Sequence, residues 1–164
     1  MKLTDIAPIK KWTEIEDKIH DISGLHVSVF DIDGFRIIED KNYPNKLCAA
    51  IKSTKKGQSF ICSVAHQNIA NQAMNSKKSL IEECDAGLLK LLVPIFVNGE
   101  FIGSIGGCGH ILDGGEIDPF LISKTIDIDE NEINKLSSGI PNMSVKKAES
   151  IINEIESLLG SIIC

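Results

Sequence analysis

Residues 84–112, CDAGLLKLLVPIFVNGEFIGSIGGCGHIL, decide the architecture of this 164-residue chain. At their centre Val93-Pro94-Ile95-Phe96-Val97 runs into Asn98-Gly99 and returns through Glu100-Phe101-Ile102-Gly103-Ser104-Ile105. Asn-Gly accepts the positive φ angles of a two-residue type I′ turn, whose twist matches the strands it joins. Such a turn sets Phe96 opposite Phe101 and Ile95 opposite Ile102. Both faces of the ribbon are then apolar, so the hairpin is expected mid-sheet with a covering layer on each side. Cys84 precedes the first strand, and Cys108 stands in the glycine run after the second.

Upstream, Pro8 suits the first turn of a helix in which Trp12, Ile15, Ile19 and Ile22 recur at helical spacing until Ser23-Gly24. A strand over 25–30, the turn signal Asp33-Gly34 and a return over 35–38 predict a second hairpin. Two helices follow, one from about Pro44 to Lys56 and one from Ser59 to about Asn75. On the latter Cys62, His66, Ile69 and Ala73 share a face. Residues 79–83 form a weaker strand. After the central hairpin come a tight turn at Asp113-Gly114-Gly115 and short helices over 118–125 and 129–136, each opened by an aspartate cap. Ser144 caps a last helix striped by Val145, Ala148, Ile152, Ile155, Leu159 and Ile162. Ile151 and Leu158 widen that stripe, which suits packing on the chain's own sheet as well as an inter-chain seam. The order predicts an α+β domain around an antiparallel sheet covered by helices, over residues 1–143. Residues 144–164 add a C-terminal amphipathic helix for packing, dimerisation or connection to an output.

Composition narrows the function classes. The hydrophobic share of 43% supports one real core, while no apolar run approaches the roughly 20 residues of a membrane span. The N-terminus lacks the apolar core of a signal peptide, so a cytoplasmic location is expected. A net charge of −6 with scattered lysines argues against nucleic-acid binding.

Four of the five cysteines, Cys48, Cys62, Cys84 and Cys108, lie at starts, ends or faces of elements. As thiolates they would suit an iron–sulfur cluster or a structural zinc. No C-x-x-C pair marks them, and buried cysteine also serves as a small hydrophobe, so both readings stand. Cys164 reads as a bystander. His66, beside Cys62, and His110, after the glycine run, are each either polar partners of a bound group or packed core residues. Asp85 suits bonding to backbone amides in the turn at Ala86-Gly87. A Cys–His nucleophile would need a third group and an oxyanion arrangement that the sequence does not display, so no enzyme is expected. The run from Gly103 to Gly109 lacks the Gly-Lys-Ser/Thr ending of a phosphate loop. Its glycines, Gly106 and Gly107 among them, instead thin the sheet so that something can approach it.

Several motifs together resemble the signature of PocR-type sensory domains. They are C-D-A-G-L at 84–88, P-I-F-V-N-G-E at 94–100 and F-I-G-S-I-G-G-C-G at 101–109, preceded by D-I-S-G-L-H-V-S-V-F-D-I-D-G at 21–34 and C-S-V-A-H at 62–66. The resemblance spans roughly Trp12 to Leu136. It implies a PAS-like sensor fold in prokaryotic signal transduction, coupled to an output domain or signalling partner, that senses small molecules rather than catalysing reactions. The commoner family pattern has glutamine where His110 stands and needs no cysteine at position 108, which favours the four-cysteine reading. The leading expectation is therefore a redox or gas sensor whose Cys48, Cys62, Cys84 and Cys108 hold an iron–sulfur cluster of the [4Fe-4S] type. The alternative is a small organic effector in a PAS-like pocket with structural cysteines, and a third is a structural zinc domain. Residues placed around the ligand or cluster are His66, Asp85, Phe96, Phe101, Gly106, Gly107 and His110. The last helix is a candidate homodimer or partner surface.

Overall fold

The computed structural model describes residues 1–39 and 43–163; Cys164 lies outside the described residues. Its centre is the expected hairpin. Asn98 and Gly99 both take positive φ, 50° and 84°, between β3 (Leu89–Val97) and β4 (Glu100–Cys108). With β1 (His26–Asp31) and β2 (Leu80–Glu83) these strands form an antiparallel sheet of order β1-β4-β3-β2, so the hairpin supplies both central strands. Phe96 faces Phe101 as expected, but a bulge between Ile95 and Phe96 sets Ile95 opposite Gly103 instead of Ile102. The second hairpin is reduced to one bridge, Phe30 to Arg36. The Asp31 carboxylate accepts from the amides of Asp33 (3.0 Å) and Phe35 (2.9 Å), and this local turn replaces a ladder.

Alternation along the strands gives the sheet two different faces. Val27, Val29, Leu91, Val93 and Ile105 point to one side, where α2 (Ile9–Ser23) and α8 (Val145–Gly160) bury them; α1 (Leu3–Ile6) adds Leu3. Ser144 caps α8 by accepting from Lys147 N (3.0 Å). The stripe of Ala148, Ile151, Ile152, Ile155 and Leu159 is consumed in this intramolecular core.

The other face carries His26, Ser28, Lys90, Gly106 and Cys108, covered by α3 (Lys46–Lys52), a π-helical segment (Gln58–Ser63) and α5 (Val64–Ser76). The single helix expected over 44–56 is broken. Thr54 recaps the chain by accepting from Gly57 N (2.9 Å), which starts the short α4 (Lys55–Gly57). Ser59, expected to open a helix, lies inside the π-helical segment, a wound-out geometry that often marks functional sites. Outside α3 pack α6 (Pro119–Ile126) and α7 (Glu130–Ser137), capped by Asp118 and Asp129 as expected. A short parallel pair, β5 (Ile111–Leu112) with β6 (Asn142–Met143), links the end of β4 to the start of α8. Among the described residues no helix is long and apolar enough to cross a membrane.

Candidate functional site

Between the second sheet face and its helical cover lies a cavity of about 490 Å³. Its floor is a row across three strands: His26 of β1 pairs in register with Cys108 of β4, which pairs with Lys90 of β3. The next row offers Ser28 and Gly106, and Phe30 closes that side. A Cβ on Gly106 would press on the Phe30 ring at 3.3 Å, so glycine here makes room for the ring and the space beside it. The roof carries Cys48, Ile51 and Lys52 from α3, Ile61 and Cys62 from the π-helical segment, and His66 from α5. Cys84 and Leu88 form an end wall, and the turn bearing Asp33 and Arg36 forms the mouth.

Charge inside the cavity is organised by Lys52. Its Nζ lies 2.9 Å from His26 Nδ1. An ammonium can only donate, so Nδ1 accepts and the imidazole proton resides on Nε2. Burial by itself would raise the Cys108 thiol, but hydrogen bonding from His26 and the positive charges of Lys90 and Lys52 outweigh it and bring the pKa down to about 6. Cys108 is therefore a thiolate at neutral pH. Burial pushes Cys48, Cys62 and Cys84 upward instead, and they remain thiols.

At the other end, His66 stacks on Phe30 with ring centroids 3.7 Å apart. Burial first, then the charges of Lys90 and Arg36, lower its pKa to about 3, so the ring is neutral. Neither of its nitrogens finds a hydrogen-bond partner among the described residues. Lys90 and Arg36 also sit over the Phe30 ring, at 5.8 and 5.9 Å from its centroid. Roof and floor are tied by Asn45: its Oδ1 accepts from Cys48 N (2.7 Å), while its Nδ2 donates to Gly109 O (2.7 Å).

A family model described as the sensory domain found in PocR matches residues 5–163. The chain belongs to this family. The match reaches beyond the motif-bearing region at both ends and takes in α8. No curated protein and no solved structure matched the chain.

In this PocR sensory domain the four cysteines singled out from sequence all border the one cavity: Cys48 from α3, Cys62 from the π-helical segment, Cys84 from the turn after β2 and Cys108 from the end of β4. They are spread around its wall. Among the described residues no group of three or more His, Cys, Asp or Glu is placed to hold a metal ion. His66 and Gly106 are on the wall as well. Phe96 and Phe101 are at the far end of the hairpin, edge-on to each other at 5.7 Å, and Phe96 borders a surface groove beside the end of α8. Gly107 points to the opposite face, toward Leu25 and Leu91. His110 sits against Gly24, where burial lowers its pKa. Asp85 occupies the turn closed by Gly87 N donating to Cys84 O (2.8 Å), off the cavity wall.

Sequence reasoning passed over His26, Lys52 and Lys90. Two of the three had a signal. His26 and Ser28 interrupt an apolar strand at period two, and Lys90 stands alone in Leu88-Leu89-Lys90-Leu91-Leu92. A charge within a central strand faces either an interior site or a partner.

Proposed function

We propose that this PocR sensory domain receives its signal in the cavity between the sheet and α3, the π-helical segment and α5, by binding a small organic molecule there. One observation carries the reading. Strands β1, β3 and β4, apolar on the α2–α8 side, direct His26, Ser28, Lys90 and Cys108 into one cavity. A core that only held the fold together would gain nothing from this polar floor. Occupancy would reset the contacts of Lys52, His66 and the π-helical segment, and that change would pass to an output domain or signalling partner. The reading assigns binding without turnover.

Gly106→Leu tests it by filling the space beside Phe30. The variant should fold, because the α2–α8 core is untouched, and should lose any stabilisation by cavity ligands. A folded variant that responds to ligands like the parent would sink the reading.

A second reading keeps the iron–sulfur cluster; what speaks for it is that all four cysteines line one cavity, though spread around its wall. The thiols would have to close in from the wall to ligate it. Protein purified without oxygen and assayed for iron, sulfide and zinc separates the cases. A brown protein with iron and sulfide, lost in each single Cys→Ser variant, would establish the cluster. Stoichiometric zinc without redox response would establish a structural metal. A colourless, metal-free protein leaves the organic ligand.

A further inference from the structure

We infer that the ligand is a small organic anion, its charged end held between the ammonium groups of Lys90 and Lys52, its hydrocarbon part against Phe30, Ile51 and Ile61. The inference rests on the cavity reading above and names the chemistry that cavity selects.

Lys52 and Lys90 are only 9% and 8% exposed, and both line the cavity. Lysine is almost never buried to this degree without a counter-charge, because removing an ammonium from water is costly unless an anion replaces the lost hydration. Among the described residues neither pairs with a carboxylate, and the single thiolate of Cys108 is the one negative charge set against the two of them. Lys90 makes no hydrogen bond there either; its close contact is the face of Phe30. Lys52 bonds a neutral imidazole nitrogen and lies 5.4 Å from the Tyr43 ring centroid. Rings and imidazole soften the cost without neutralising the charge.

The charge balance of the wall points the same way. Arg36 and Asp33 are both exposed at the mouth and offset each other, which leaves Lys52 and Lys90 facing the one thiolate of Cys108 among the described residues. Among the described residues of the wall, positive charge is thus in excess in a chain of net charge −6. Lysine binds a point charge and imposes no planar fork, so a carboxylate or a phosphate satisfies the pair equally in charge. The remaining wall is apolar enough for a short hydrocarbon tail. The unpartnered nitrogens of His66, sealed against Phe30 in this packing, are polar groups that a repacking around a ligand would satisfy.

The test compares butyrate, inorganic phosphate and the neutral isostere butyramide at equal ionic strength, reading the thermal midpoint of the full chain and of Lys90→Met and Gly106→Leu. Saturating anion should raise the midpoint by roughly 5 °C, with butyramide inert. Phosphate matching butyrate would assign recognition to the headgroup, and butyrate exceeding it would assign the tail a share. Lys90→Met should abolish the response. Equal responses to butyrate and butyramide, no response to any of the three, or an undiminished anion response in Lys90→Met would overturn the anion assignment. An anion response that survives in Gly106→Leu would instead place binding outside the cavity, and the cavity reading itself would fall.

Discussion

Cys108 acquires its character from residues far away in sequence. Antiparallel register sets it between His26 and Lys90, and α3 brings Lys52 onto the far side of His26. The pKa of about 6 fixes the sign of a pH dependence: thiolate is depleted as pH falls through 6 and complete above pH 7. Alkylation of Cys108 by iodoacetamide, followed by peptide mass spectrometry, should reach half its maximal rate near pH 6 and then level off. An ordinary thiol reaches half its maximal rate only at about pH 8.5. Cys48, Cys62 and Cys84, held protonated by burial, should lag behind at neutral pH. Lys52→Met should move the Cys108 midpoint upward, and an unchanged midpoint would remove Lys52 from the account. Little of this was legible in the chain. Cysteine spacing named the four thiols, but spacing says nothing of which charge stands beside which sulfur.

The hairpin, the aspartate caps of α6 and α7 and the Ser144 cap of α8 follow from local chemistry, and they fold as the sequence indicates. What the sequence concealed at this scale lies in the cavity roof: the break after α3, the π-helical segment and the Asn45 tie. Gly109, at φ +116°, lets the end of β4 pass under Pro44, with whose ring any Cβ would collide. Asn45 then both caps α3 and grips the Gly109 carbonyl. Asn45→Ala should cost about 1–2 kcal/mol in urea denaturation, the usual worth of a helix cap. Asn45→Asp keeps the acceptor and loses the donor, so it should recover the cap alone. If the aspartate variant restored full stability, the bond to Gly109 would carry no weight.

The whole molecule is a sheet with two occupations. One face is sealed by α2 and α8 and supplies the stability of the domain; the other holds the cavity. Ile155 lies fully within the first. Ile155→Ala should therefore cost about 2–5 kcal/mol, read by urea denaturation, while leaving the ligand response of the folded protein intact. A lost response would show instead that α8 and the cavity move as one unit. Hydrophobic periodicity, turn residues and capping residues are local, and the sequence by itself determined what depends on them: an α+β domain, a central apolar hairpin, an amphipathic last helix and the PocR family signature. Only the tertiary structure decided which strand neighbours which. That choice aligned His26, Cys108 and Lys90 in one row, turned Gly107 away from the cavity and left Phe96 and Phe101 at the far end of the hairpin. The reason is physical: a strand's pattern specifies its two faces, but register and long-range pairing specify what each face meets.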